Sequence, residues 1–306
     1  METMRFVNAG GRAALLVDGI VHDLNTITGG AVPSAPMDVV LDHWEAALDA
    51  HSAGAFDGGT PVGAVHLGPP VPAPRSVYAI GLNYRNHARE TGAPIGAIPP
   101  VFTKFPSSIN GPYDDIVLPI GEGTTDWEAE LAFVVGEGGR NIAASDGLDA
   151  VRGLMVGQDV SERFVQQAAG HQYSLGKSFD SFCPIGPAIV TVDELEDPLD
   201  LRIRCRVNGE VVQDESTADM IVDVPHLVEL LSSVMTLTAG DVCLTGTPAG
   251  VGMARRPPRY LRPGDVVETE IAGIGTMRNA CVAEGPPVRR ARAKQAAPGR
   301  VRRAAQ

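Results

Sequence analysis

Residues 126–136 read DWEAELAFVVG. In an extended chain, side chains two residues apart point the same way. Trp127, Ala129, Leu131, Phe133 and Val135 then share one wholly apolar face, which belongs in a core. Glu128, Glu130, Ala132 and Val134 share the other, which begins polar and ends apolar. The two acids therefore sit near the start of a strand, where a cleft or the solvent lies. In the simplest reading this is an antiparallel strand with one wet face. The alternative begins with charge: two carboxylates about 7 Å apart on one face repel unless a cation lies beside them. A hard divalent ion removes that cost, and Mg²⁺ needs only two or three carboxylates plus waters or substrate oxygens.

A third carboxylate is available in LMVGQDVSER, residues 154–163. Asp159 closes an apolar run and precedes a predicted helix in SERFVQQAAG. That position suits a metal ligand delivered by a strand end, and it equally suits an N-cap that satisfies free helix amides.

Around this pair of strands the chain reads as strand-rich. SVYAIGL, DIVLP, AIVTV, LRIRCRVNGEVV, DVCLTG and DVVETEIAGIGTMRNACV carry β-branched and apolar runs bounded by Gly, Pro and Asp. Helical periodicity is confined to PMDVVLDHWEAALDAHSAG, with Val39, Leu41, Trp44 and Leu48 in phase, to SERFVQQAAG, and to VPHLVELLSSVMTL, where Leu227, Leu230, Leu231 and Val234 form a stripe. This is an α+β, strand-rich pattern with a curled mixed sheet, not a doubly wound βαβ fold. The proline-rich LGPPVPAPRS at 67–76 predicts a boundary between a small N-terminal α+β domain, 1–70, and a larger domain over 75–283.

The chain has 306 residues, 44% of them hydrophobic, enough for a substantial core. No run reaches the length of a membrane span and the first residues lack the apolar centre of a signal peptide, so the expectation is a soluble, cytoplasmic protein with no membrane partner. Cys183, Cys205, Cys243 and Cys281 are far apart and form no CxxC pair, which predicts buried reduced thiols. A basic tail over 284–306 is poor in apolar residues and predicted to be disordered. From 286 onward it holds seven Arg or Lys and no acid. Taking those seven charges from the net −12 leaves −19 on residues 1–285, which argues against nucleic-acid binding by the body.

One more segment carries candidate chemistry. In NYRNHARETG, His87 and Glu90 are three residues apart and lie side by side on a helical turn. An isolated HxxE is also what an ordinary polar surface turn looks like.

Taken in order, DWEAELAFVVG, GQDVSERFVQ, GKSFDSFCPIGP, VNGE, TADMI, LTGTPAGVG and YLRPGDVVETEIAGIGTMRN resemble the fumarylacetoacetate hydrolase family over residues 75–282. The resemblance implies a mixed β-roll preceded by a small N-terminal domain, a homodimer, and Mg²⁺, with Mn²⁺ or Ca²⁺ as alternatives, held by Glu128, Glu130 and Asp159. It implies that His87 is a general base oriented by Glu90, that Lys177 stabilises developing negative charge, and that Arg163, Gln166 and Thr247 contact a small 2-oxo acid substrate. The chain departs from the family pattern at Gln158, where many relatives carry Asn before the ligand Asp, and at Glu162 and Phe164, which replace residues beside the cleft, and its QQAAGHQYSLGKS segment leaves His171 and Tyr173 to shape a pocket of its own. The expected activity is metal-dependent hydrolysis of a C–C bond in an acylpyruvate-type substrate. Oxaloacetate decarboxylation and 2-oxo acid isomerisation or hydration are the alternatives on the same site, and a catalytically silent binding protein is the alternative of another class.

Overall fold

The computed structural model describes residues 4–37, 41–54, 56, 58–121, 123–168, 170 and 172–285. The acidic stretch pairs briefly at Thr125–Asp126, leaves the ladder at Trp127 and Glu128, and runs as a strand over Ala129–Val135 with every residue buried. Leu131, Phe133, Val135 and the preceding Trp127 pack with Leu154, Val156, Ile203 and Val267. Ala132 and Val134 pack on the other face with Phe6, Leu15, Trp44 and Met155. The half-exposed reading of this strand is thereby corrected: both faces are covered, and Glu130 lies in an interior. Full burial of each large apolar side chain contributes roughly 1.5–3 kcal/mol, so the register of this strand is firmly fixed.

The strand is central to a large sheet. From one edge its order is Thr60–Pro61, Ile20–Asp23, Arg12–Val17, Arg5–Ala9, Cys183–Val190, Val151–Gln158, Ala129–Val135, Val242–Leu244, Val77–Ile80 and Val101–Lys104. The pairing is mixed, because Val242–Leu244 runs parallel to Val77–Ile80 while most other pairs are antiparallel. The strands Arg5–Ala9, Arg12–Val17, Ile20–Asp23 and Thr60–Pro61 join this sheet through Arg5↔Val190 and Phe6↔Ile189. A second, five-stranded sheet, in the order Glu210–Ser216, Arg202–Val207, Val266–Ile271, Gly275–Ala283 and Ile116–Leu118, lays Ile203, Cys205, Val267 and Met277 against the Leu131 face.

Two stretches that read as single long strands are hairpins. LRIRCRVNGEVV turns at Asn208 and Gly209, both at positive φ, with Val207 opposite Glu210. The run from Val266 to Ala283 folds back at 272–274 so that Ile271 faces Gly275. The strand read as AIVTV begins at Cys183 and ends at Val190.

Helices are few. Val224–Val234 is capped by Asp223, whose carboxylate accepts from the His226 amide. Its buried stripe is Val224, Leu227, Val228 and Leu231, whereas Val234 is exposed, so the predicted stripe is rotated toward the N-terminus. Trp44–Ser52 seats Trp44 on the Phe6 ring with centroids 4.1 Å apart; Val39, read as part of that helix, lies outside the described residues. All four cysteines are free and buried, and burial pushes the Cys183 and Cys281 thiols up to about 12, which makes them poor nucleophiles. Among the described residues no helix is long and apolar enough to cross a membrane. The basic residues from 286 onward lie outside the described residues.

Candidate active site

The three acids meet because the strands Ala129–Val135 and Val151–Gln158 are antiparallel neighbours with Glu130 opposite Gly157 and Ala129 opposite Gln158. Just past the ladder the Asp159 amide donates to the Glu128 carbonyl at 2.9 Å, so the two carboxylates that end the strands stand side by side. One ligand oxygen from each of Glu128, Glu130 and Asp159 lies within 4.8 Å of the others. All three residues are buried, with 6%, 1% and 1% of their surfaces exposed. Asp159 does not cap a helix: the following helix is Arg163–Ala168, and the Asp159 carboxylate is taken by lysines. Glu130 accepts from the Gly246 amide at 2.7 Å. Gly246 sits at φ 99, and a Cβ there would press on Asn83 and the Ile80 carbonyl, so glycine is required for that approach.

Three cations face this cluster. Lys177 Nζ donates to Glu128 Oε2 at 2.7 Å and to Asp159 Oδ2. Arg163 Nη1 lies 2.7 Å from Glu128 Oε1, and its Nε donates to Asp126 Oδ2 at 2.9 Å. Lys104 Nζ donates to Asp159 Oδ1 at 2.5 Å. Burial alone would raise Glu128, but the Lys177 and Arg163 charges hold its carboxyl at about 2. Glu130 shows the reverse. It pairs with no cationic side chain among the described residues, and burial together with the Asp159 and Glu128 charges pushes its carboxyl well above the usual range. Burial opposes the charge on Lys177, yet the Asp159 and Glu128 carboxylates outweigh it and raise its ammonium.

Over the acids lies a cavity of about 190 Å³. Glu128, Arg163, Gln166, Lys177, Thr247 and His87 supply its polar wall, and Ile80, Leu82, Phe102, Tyr173 and Met253 its apolar one. His87 comes from a short helix, Arg85–Thr91, that ends at Gly92 in the left-handed region. His87 Nδ1 is 3.3 Å from Glu90 Oε2. The helix is anchored across the cavity mouth: Arg85 Nη1 donates to the Met220 carbonyl at 2.6 Å, the Asn86 amide donates to Asp219 at 2.9 Å, and the Gly250 amide donates to Glu90 at 3.0 Å.

The fumarylacetoacetate (FAA) hydrolase C-terminal family pattern matches residues 76–282. The chain belongs to the fumarylacetoacetate hydrolase family. It is 43% identical to the oxaloacetate tautomerase Fahd2a, mitochondrial, of Rattus norvegicus over 270 residues, covering 87% of this chain and 85% of that protein. It is 41% identical to the 2,4-didehydro-3-deoxy-L-rhamnonate hydrolase of Sphingomonas sp. (strain SKA58) over 264 residues, 85% of this chain and 88% of that protein. Among solved structures, the maleylpyruvate hydrolase from Sphingobium sp. SYK-6 in complex with manganese(II) and pyruvate superposes with a TM-score of 0.77 at 30% identity, over 92% of this chain and all of that one.

For a member of this family the donor set fits a hard divalent cation: three buried oxygen ligands converge, and one of them has a carboxyl that burial and like charge make hard to ionise without a cation. Of the residues singled out in the sequence, His87, Glu128, Arg163, Gln166, Lys177 and Thr247 all line the one cavity, with Glu130, Asp159 and Glu90 directly behind it. Thr247 Oγ1 donates to the Ala129 carbonyl and accepts from Gln213 Nε2, so it braces the acidic strand as well as lining the wall. Two departures from the family pattern fall away from the cavity. Glu162 is buried and accepts from Thr125 Oγ1 at 2.7 Å, and Phe164 is exposed on the surface. Gln158 is structural: its Oε1 accepts from the Glu128 amide and its Nε2 donates to Thr269 Oγ1 at 2.9 Å. Tyr173 does line the cavity, whereas His171 lies outside the described residues.

Sequence reasoning missed Asp126 and Lys104. Asp126 is fully buried, holds Arg163, and accepts from the Gly252 and Met253 amides. Lys104 is 1% exposed and sits in the strand Val101–Lys104, whose burial alternates in phase with Phe102. A lysine in step with a buried phenylalanine was the available signal.

Proposed function

We propose that this family member is an enzyme that moves a proton at the carbon beside the 2-oxo group of a short dicarboxylic 2-oxo acid, interconverting the keto and enol forms of oxaloacetate. The observation that carries this reading is the placement of a buried, carboxylate-paired histidine, His87, in the same small cavity as Glu128, Lys177 and Arg163. At about 190 Å³ that cavity falls below the roughly 300–1,000 Å³ of drug-sized ligand sites, which favours a substrate of a few carbons. The 43% identity to a relative named as an oxaloacetate tautomerase supports the same substrate class.

Glu128, Glu130 and Asp159 would hold Mg²⁺ or Mn²⁺, which when bound polarises a carbonyl oxygen and offsets the charge that develops there. Glu90 fixes the His87 ring through Nδ1, leaving Nε2 to take the proton from carbon and return it. Gln166 Oε1 accepts from Arg163 Nη1 at 3.0 Å, which turns the Gln166 amide nitrogen to donate to a substrate carboxylate. Lys177, on the cavity wall, adds a positive charge that can face the oxygen that becomes negative.

Hydrolysis of an acylpyruvate, the activity expected from the sequence, becomes the second reading, favoured by the relatives named as hydrolases. In it His87 takes a proton from water, the water oxygen adds to the distal carbonyl, and the C–C bond breaks to give a carboxylic acid and the enolate of pyruvate, whose carbon takes the proton back from His87. One experiment separates the two. The enzyme with Mg²⁺ or Mn²⁺ is given enol oxaloacetate and acetylpyruvate, and both ultraviolet decay of the enol and pyruvate release are followed. Tautomerisation predicts fast enol decay with no pyruvate, slowed roughly 10²–10⁴-fold by His87→Ala. Pyruvate from acetylpyruvate moves the assignment to hydrolysis, pyruvate from oxaloacetate moves it to decarboxylation, and inertness toward both substrates supports a silent binding protein.

A further inference from the structure

Asp159 has both carboxylate oxygens engaged by lysines, and the two lysines are placed very differently. Lys177 meets Oδ2 from the cavity wall, where its ammonium can be exchanged for another cation. Lys104 meets Oδ1 at 2.5 Å from the last position of the edge strand Val101–Lys104. It is 1% exposed and is not among the cavity-lining residues, and its Nζ is also 3.4 Å from the Val160 carbonyl. The strand pairs Lys104 with Val77, which fixes the base of the side chain. Oδ1 is therefore held by a lysine sealed off from the cavity, while Oδ2 is held by one that reaches it from the cavity wall.

We infer that Lys104 is a positioning residue that restricts Asp159 to a single ligand oxygen and thereby sets the site's preference for Mg²⁺ and Mn²⁺ over Ca²⁺. The chemistry follows from ion size. Mg²⁺ accepts a compact set of about six oxygens at about 2.1 Å and tolerates monodentate carboxylates with waters, whereas Ca²⁺ takes about 6–8 oxygens at longer distance and gains from bidentate carboxylates. A lysine that occupies one Asp159 oxygen removes the bidentate option and keeps the coordination number low. It also leaves a fixed positive charge behind the ligand, which orients the carboxylate as an outer partner does in other metal sites.

This inference rests on the metal reading of Glu128, Glu130 and Asp159, and the test separates the two. Affinities of the metal-stripped protein for Mg²⁺, Mn²⁺ and Ca²⁺ are measured by titration calorimetry, for the wild type and for Lys104→Met. The wild type should bind Mg²⁺ and Mn²⁺ more tightly than Ca²⁺. In Lys104→Met the Mg²⁺ and Mn²⁺ affinities should fall roughly 10–100-fold, the range seen for lost outer-shell partners, while Ca²⁺ falls less, so the preference shifts toward Ca²⁺. A wild type that binds none of the three ions overturns the metal reading itself. A wild type that binds them, with a Lys104→Met preference unchanged, overturns only the role given to Lys104. Should Lys104→Met not fold, Lys104→Gln carries the same test with a smaller expected shift in the same direction, and no shift overturns the inference.

Discussion

The Gly250 amide donates to both carboxylate oxygens of Glu90, at 3.0 and 3.1 Å. Glu90 in turn faces His87 Nδ1, so the histidine over the cavity is oriented by a carboxylate that is itself pinned to the loop after Thr247. Glu90→Gln keeps an acceptor for Gly250 and removes the charge behind the imidazole. It should lower kcat by about 10–100-fold with little change in KM, since the lost interaction serves proton transfer and not substrate binding. Gly250→Ala should produce a loss of the same kind through the backbone: Gly250 lies at φ 108, and a Cβ there would collide with the Val212 carbonyl. Steady-state kinetics on both variants tests the chain from loop to carboxylate to imidazole, and a change confined to KM would break it.

The acidic cluster makes a prediction that needs no substrate. A ligand that binds only the folded chain at 100 times its Kd adds about 2.7 kcal/mol of stability, worth roughly 5 °C in melting temperature for a chain of this size. Mn²⁺ should raise the wild-type melting temperature by that order, and Glu128→Ala and Glu130→Gln should each remove the metal-dependent part. Glu128→Ala also frees Arg163 and Lys177 from a buried partner, so its metal-free melting temperature should fall as well. A metal-independent melting temperature in the wild type would favour a protein that has the fold without the chemistry.

Much of this site was legible because its residues obey short-range rules. The alternation in 126–136 placed the acids opposite Leu131 and Phe133, and the HxxE spacing placed His87 beside Glu90. What could not be read was pairing. Glu128 and Asp159 meet because Ala129 pairs with Gln158, and no local pattern states which strand neighbours which. The same holds for the first seventy residues, whose strands looked self-contained until Arg5 was seen opposite Val190. Long strand readings failed where a two-residue turn was hidden inside them, as at Asn208–Gly209, although Asn-Gly is itself the strongest hairpin signal. Lys104 and Asp126 were missed for a different reason: a buried charge is recognisable only once its partner is known, and those partners lie 55 and 37 residues away.

Away from the cavity, Asp241 offers a pH test of the fold. Its Oδ2 accepts from the Thr238 amide at 2.9 Å and from the Tyr78 hydroxyl at 3.4 Å, and the residue is 1% exposed. Burial raises its carboxyl above the usual range, with the Thr238 amide pulling the other way. An acid whose folded-state affinity for the proton exceeds its unfolded one stabilises the fold at low pH. That contribution is lost as pH rises through the folded value. Asp241→Asn keeps the acceptor for Thr238 and cannot ionise. It should therefore match the wild type near the ordinary carboxylate range and become the more stable of the two as pH rises above it. Melting temperatures at acid and mildly alkaline pH check this, and a difference that does not grow with pH counts against it.

The apolar wall of the cavity should set substrate length. Phe102 and Tyr173 meet edge to face with centroids 5.5 Å apart, and Tyr173 is only half-buried, so it closes the cavity from the outer side. Phe102 also lies under the Lys177 ammonium, 5.2 Å from ring centroid to Nζ, and removing it would disturb the charged wall. Tyr173→Ala is the cleaner change, because it enlarges the cavity without touching the acids or their cations. Each additional methylene accommodated in such a pocket is worth about 1–3 kcal/mol in kcat/KM, or about 10–200-fold. Tyr173→Ala should therefore raise kcat/KM for a 2-oxo acid with a longer chain relative to oxaloacetate by at least about tenfold. Parallel losses on short and long substrates would show that Tyr173 holds the cavity wall in place and does not measure length.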